Sequence, residues 1–289
     1  MLFRSVFSRA YSCYGRLERA RPCLVNGVFP HTTGGANLPS LESALEKAGY
    51  RTPAFTARQT DRIVSFVHDL SNQPFFVQWT LSGAAGGLIE RGERPNLKLR
   101  ENVPLAAEGQ ARDELALFRA RSQSWDHEIG TVLAALDRPE LADNTIVVFT
   151  ALHGEQLGSH GEFDDDAVFE ESIRVPLAIR YPRALRAGTR SEVLVSQVDL
   201  MPTLLAWCGV AAPETAQGRD LSAIMSGKAG ERPDSVYAQG RVGQKDEWRM
   251  VVQGYDKLIA DLEGNVTHFY NLADDPYEMT DLEIGRAHV

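Results

Sequence analysis

The chain has little cysteine: three residues in 289, at positions 13, 23 and 208. Three thiols cannot build a disulfide framework, and they leave the compartment open. Cys208 falls in an apolar helical stretch, where a small buried thiol is the expected state, and Cys23 reads as a half-buried helical thiol. No apolar run approaches the length of a membrane span. Basic charge is not in excess either. Lys and Arg number 30 against 39 Asp and Glu, a formal net charge of -9, which speaks against a nucleic-acid partner and suits a protein that holds a divalent cation. Internal repeats and low-complexity linkers are lacking. The N-terminus does not read as a basic segment, an apolar core and a small-residue cleavage site in order, so no secretory signal is visible.

What is present is a globular composition, 43% hydrophobic and 24% charged, sufficient to bury a substantial core. Residues 1–5 and 283–289 each back-translate into the end of a sequencing adapter. They are set aside as foreign, so the chain reads as a piece of a longer one and its localisation is left undetermined. Organisation centres on Asp143 to Pro182, DNTIVVFTALHGEQLGSHGEFDDDAVFEESIRVPLAIRYP. It opens with a buried-looking strand, Ile146 to Phe149, whose carboxyl end releases a glycine-bearing loop with His153, Glu155 and His160. In open α/β sheets ligands bind beyond the carboxyl ends of strands, so this loop is where chemistry is expected. A second apolar run, Val175 to Ile179, follows.

Around it, apolar spacing predicts a helix from Leu38 to Gly49, one starting at Thr60, a strand from Pro74 to Leu81 and a helix from Asp113 to Asp137. The last carries Leu115, Phe118, Trp125, Ile129, Val132 and Leu136 as a buried stripe. Its Asp126 and His127 point about 100° apart, which reads as a solvated face rather than a catalytic pair. Beyond residue 182 come a helix holding Pro202 and ending at Gly209, then short strands near 248–252, 257–260 and 268–272.

The central stretch closely resembles the sulfatase family of the alkaline phosphatase superfamily, whose members commonly read DNT-[IL]-V-x-F-T-S-D-H-G-E-x-L-G-x-H-G, then a lysine, then Y-E-E-S-x-R-V-P-L. FSRAYSCYGRLERARPCLVNGVFPH, from Phe7, is similar to the family's nucleophile segment, and Val193 to Val210, Gln217 to Gly227 and FYNLADDPYEMTDL match its later motifs. The resemblance implies a three-layer α/β/α sandwich with a mostly parallel central sheet over residues 6–190, its first metal-binding strand missing. Residues 191–282 are then a C-terminal part, a helix plus a small antiparallel subdomain.

It also implies chemistry: a formylglycine whose hydrate attacks sulfur, calcium held by oxygen ligands, and lysines and histidines around the sulfate. Carried over position by position, the family arginine falls on Arg21, which would steady the nucleophile, and His153 matches the partner of the metal aspartate. The nucleophile itself falls on Leu17, the metal aspartate on Leu152 and a sulfate lysine on Asp165. Thr56 to Gln59 stands where the family supplies a lysine and a histidine, and Ser82 to Gly87 holds no histidine. No formylglycine is expected, and calcium is expected to bind weakly or be absent.

Three readings stay open. The chain is a sulfatase-fold protein with little or no hydrolase activity, whose cleft binds a sulfated or phosphorylated small molecule or glycan. Alternatively it is an active sulfuric ester or phosphoester hydrolase using Asp164, Asp165 and Asp166 as ligands and Cys13 as nucleophile, although the acidic triplet reads first as a solvated loop. Or it is a decayed gene fragment.

Overall fold

A computed structural model describes residues 5–32, 38–70, 73–82 and 97–282. The adapter-like residues 1–4 and 283–289, and the segment 83–87, lie outside the described residues. Ser5 does not. It opens strand β1 (Ser5–Tyr11), is buried, and pairs with Ile179 on one side and Thr189 on the other.

Helix α1 (Leu17–Asn26) follows β1 and stops at Gly27, whose φ of 65° supplies the left-handed turn that ends the helix. Helix α2 (Leu41–Lys47) starts at Ser40, whose hydroxyl accepts from the Ser43 N–H while Ser43 Oγ accepts from the Ser40 N–H, a reciprocal cap. Strand β2 (Ala54–Phe55), helix α3 (Thr60–His68) and strand β3 (Gln78–Trp79) come next. The strand expected over 74–81 is thus two residues long, in parallel register with β2. Helix α4 (Glu108–Leu136) is longer than expected, and of its anticipated stripe only Leu136 is fully buried. The rest is half-buried because α4 lies on the outside of the molecule with α3 as its main neighbour.

Helix α5 (Pro139–Ala142) leads into β4 (Val147–Thr150), and helix α6 (Glu170–Ile173) runs into β5 (Arg174–Val175) and β6 (Leu177–Arg180), which Pro176 separates. Strand β7 (Thr189–Ser196) and helix α7 (Leu200–Trp207) complete the first unit. Because β7 crosses residue 190 and pairs with β1, the first sheet continues past the boundary anticipated there.

The sheet is mixed rather than mostly parallel. β1 and β7 pair in parallel, whereas β1 meets β5 and β6 antiparallel and β4 meets β6 antiparallel. The physical reason is one reversed strand. β4, β1 and β7 share a direction, and the opposed segment β5–β6 is inserted between β4 and β1. β4 is consequently the outer strand of this ladder among the described residues, and it is half-buried, with Phe149 38% exposed. Adjacent side chains of a strand face opposite ways. Val147 packs against the cluster that holds Val67 of α3 and Leu136 of α4, and Val148 against the one that holds Leu177, Ile179 and Leu200, so both faces of β4 carry apolar contacts.

After helix α8 (Ser222–Met225), strands β8 (Ser235–Gly240), β9 (Trp248–Gln253), β10 (Asp256–Asp261) and β11 (Val266–Asn271) form a four-stranded antiparallel sheet in the order β11-β10-β9-β8. This is the small antiparallel subdomain the sequence predicts, with β8 added. Alternation in β9 buries Trp248, Met250 and Val252 and exposes Arg249, Val251 and Gln253. That apolar face joins Tyr11, Ile173 and Leu194 in one core. Each large side chain so buried contributes about 1.5–3 kcal/mol, so the C-terminal sheet is fastened to β1 and β7 rather than tethered loosely. Cys208, at the end of α7, is half-buried, against the expectation of a buried thiol.

Candidate functional site

The loop released by β4 returns beneath α6 and meets the start of α1. Gly154 makes this path possible. Its N–H donates to the Ser172 carbonyl at 2.7 Å, and a Cβ there would overlap the Glu171 carbonyl oxygen. The buried amide of Gln197 holds the start of the loop, Nε2 donating to the carbonyls of Ala151 at 2.7 Å and Leu152 at 3.0 Å. Arg100 holds its far side through the Gln156 carbonyl at 3.0 Å and Ser159 Oγ at 3.2 Å.

The acidic triplet ends against α1. Asp166 is not solvated, as the sequence suggested, but fully buried with a φ of 72°. Its N–H donates to the Gly15 carbonyl at 3.1 Å, its Oδ2 accepts from the Arg241 N–H at 3.1 Å, and Arg16 Nε stands 3.7 Å from the same oxygen. Gly15 and Gly240 both press on it, so glycine at both places lets the carboxylate sink between α1 and β8. Burial pushes its carboxyl above the usual range, opposed by the Arg241 N–H and by the charges of Arg16, Arg241 and His153.

His153 is half-buried, with Nδ1 3.0 Å from the Gly154 carbonyl and 3.9 Å from Asp165 Oδ1. Leu17, which motif register alone sets at the family nucleophile position, begins α1 and is 46% exposed. Leu152 is half-buried beside His153. Arg21, one turn beyond Leu17, is engaged by Gln78 Oε1 at 3.2 Å and Glu42 Oε1 at 3.7 Å. The structure therefore brings His153 to Asp165 and the start of α1 to Asp166, while Arg21 turns toward β3 and α2.

The donors at this place do not fit calcium. A hard divalent cation needs six or more oxygens. Here the key position is a leucine, and among the described residues the only group of three His, Cys, Asp or Glu with ligand atoms within 4.8 Å of one another is His160, Glu171 and Glu278. Cys13 does not line the cleft. It is 0% exposed, with Sγ 3.2 Å from Ser196 Oγ, packed against Cys23 and Val198.

Several working residues escaped the sequence. Gln197 and Asn102 look like ordinary surface amides in one dimension. Lys257 is fully buried between Glu170 and Glu278, and here a signal existed, because strand alternation places it on the face of Ile259.

Comparisons with known proteins bear on the family and the fold. The sulfatase family profile matches residues 54–210, and that of the C-terminal part of N-sulphoglucosamine sulphohydrolase matches residues 158–286. An N-acetylglucosamine-6-O-sulfatase of Bacteroides thetaiotaomicron is 35% identical over 211 residues, covering 73% of this chain and 37% of that protein. An ulvan-active sulfatase of Formosa agariphila is 34% identical over 133 residues, 45% of this chain and 26% of that protein. The chain thus spans roughly a third of the length of the curated relatives it matches. Among solved structures, a Bacteroides thetaiotaomicron protein described with the metabolism of multiple glycosaminoglycans has a TM-score of 0.86 at 17% identity, covering 98% of this chain and 84% of that one. The phosphonate monoester hydrolase of Agrobacterium radiobacter has a TM-score of 0.77 at 15% identity, with 99% and 86% covered. At such identities the structures speak for the fold alone, but the profile covers more than half of the chain, and on that ground the chain belongs to the sulfatase family.

Proposed function

We propose that this chain keeps the sulfatase fold while having lost most or all sulfuric ester hydrolysis, and that its cleft binds a sulfated glycan. Leu17 carries the proposal. The residue where the family places its nucleophile stands at the head of α1, partly open to solvent, with no atom to oxidise or to attack with. Leu152 supports it, since a leucine in the metal aspartate's place supplies neither a ligand nor the charge that offsets the cation.

Binding is supported by two arginines beside the cleft. Arg16 is half exposed and 3.7 Å from the buried Asp166, and Arg241, whose N–H also holds Asp166, turns its guanidinium to the exposed Asp246 at 2.6 Å, a surface pairing that a sulfate would replace. Guanidinium groups recognise sulfate and phosphate oxygens through paired N–H donors. Relatives act on such compounds by name, as an N-acetylglucosamine-6-O-sulfatase and an ulvan-active sulfatase, and one structural neighbour was solved with D-glucosamine-2-N,6-O-disulfate.

The test has two arms. Aryl sulfate and aryl phosphate with calcium, magnesium or manganese are expected to turn over no faster than in buffer. Turnover abolished by His153→Ala would establish the active-hydrolase reading instead. Sulfated glycans are expected to raise Tm, by about 2.7 kcal/mol of stabilisation at a hundredfold excess over Kd. No shift across a broad panel would sink the binding reading.

A further inference from the structure

A groove of about 320 Å³ opens where β1, β5 and β7 of the first sheet meet the turn between β9 and β10 and the segment after β11. Neither Leu17 nor His153 lines it. Three guanidinium groups do, Arg174 from β5, Arg9 from β1 and Arg190 from β7. β5 pairs with β1 and β1 with β7, so the three stand on neighbouring strands and reach the same groove. Like charges set side by side on a sheet repel.

These arginines have little carboxylate of their own. Arg9 lies over the Tyr255 ring, 4.3 Å from its centre, and donates to the Gly254 carbonyl, with no ion pair among the described residues. Arg174 donates to the Ser8 carbonyl at 2.9 Å and stands 3.9 Å from Glu170 Oε2. Arg190 is exposed, and its guanidinium has no hydrogen-bond or ion-pair partner among the described residues. Two carboxylates also face the groove, and both are engaged elsewhere. Glu170 is held by Lys257 at 3.3 Å and by the Tyr11 hydroxyl at 3.2 Å, and Glu192 accepts from the Tyr255 hydroxyl at 3.1 Å. Three guanidiniums against two carboxylates leave positive charge over, on a chain whose net charge is -9. A surplus of this kind attracts an anion.

We propose that this groove is a second site for a sulfated saccharide, whose sulfate groups lie on Arg190, Arg9 and Arg174. Guanidinium forks match such oxyanions through paired N–H donors. One free oxyanion meets one fork. Three forks spread across two strand spacings, about 10 Å, instead match several oxyanions carried on one ring system. Leu272 and Ala273, on the opposite wall, offer the apolar surface that the C–H face of a sugar ring covers. Tyr255 acts as a positioning residue, its ring holding the Arg9 guanidinium flat and its hydroxyl drawing Glu192 aside. The site is separate from the cleft and needs no binding there.

Sucrose octasulfate is titrated into the chain by calorimetry, with sucrose, inorganic sulfate and inorganic phosphate as comparison ligands. A binding component that weakens as salt rises is expected. Arg190→Ala should weaken it about tenfold, while Arg16→Ala, beside the cleft, should leave it in place. If the cleft binds as well, Arg16→Ala removes a second equivalent and keeps this one, so failure of either site shows separately. Glu192→Gln still accepts from Tyr255 but removes a competing charge, and it should tighten binding severalfold, a gain that a poorly folded variant cannot imitate. No binding of the octasulfate, affinity unchanged in Arg190→Ala, no tightening in Glu192→Gln, or equal affinity for sucrose, inorganic sulfate or inorganic phosphate would each overturn the assignment.

Discussion

Lys257 Nζ lies 2.7 Å from Glu278 Oε1, and neither side chain is exposed. The pair joins β10 to the C-terminal turn, and Glu278 Oε2 accepts from the Glu170 N–H at 2.7 Å, reaching the start of α6. Glu278→Ala strands a buried ammonium beside one longer-range partner, so a loss of about 3–5 kcal/mol is expected. Lys257→Met combined with Glu278→Leu removes both charges and should cost clearly less. Urea unfolding of the two variants checks this, and equal losses would mean that the pair is not the source.

Gly154→Ala is expected to lose about 2 kcal/mol or more, because the added methyl group must push the loop away from Glu171 and break the bond to Ser172. Gly130, inside α4 with open space around it, is the control. Gly130→Ala should stabilise by about 0.5–1 kcal/mol. A loss at Gly130 as large as at Gly154 would refute the steric account.

Burial lifts the Asp199 carboxyl to about 6, although its oxygens accept from the backbone N–H groups of Arg219 and Ser196. Unfolded, an aspartate titrates near pH 3.9. Between about pH 4 and 6 the folded chain holds a proton that the unfolded chain has released, so this group's contribution falls as pH rises through that window. Relative to Asp199→Asn, wild type should gain up to about 3 kcal/mol as the pH drops from 7 to 4. Denaturant midpoints for both proteins across that range measure it, and a constant gap would show that Asp199 does not titrate there.

Leu152→Asp should create calcium binding that wild type is expected to lack, since it sets a carboxylate beside His153 and Asp165. The expected outcome is a calcium-dependent rise in Tm for the variant only, abolished by EDTA. An identical calcium response in wild type would mean that other oxygens already hold the ion.

How much of this could be seen in one dimension depended on whether the cause was local. Gly209, at φ 69° just past α7, and the alternation of β9 act within a few residues, so that helix end and the C-terminal strands were legible. The reversed segment β5–β6 was not, because the direction of Val175 to Ile179 depends on where β1 and β4 lie in space. Asp166 failed for a related reason. Its run of three carboxylates looks solvated, and only the approach of Gly15 and Gly240, remote in sequence, buries it. In the cleft, Leu17 and Leu152 rest on motif register alone, whereas the pairing of Arg21 with Gln78 and Glu42 needed three separate elements to meet.

The position of β1 has a consequence for the order of events during synthesis. Tyr11 finds its partners at Arg174 and Ser196, roughly 160 residues or more downstream, so an early strand must wait with both edges unpaired. Loop-closure entropy has to be met before that ladder gives anything back. The first sheet closes only once β7 has left the ribosome. Until then Phe7 and Tyr11 are a sticky segment, and a chaperone that shields them should raise the yield of native chain without altering its final stability.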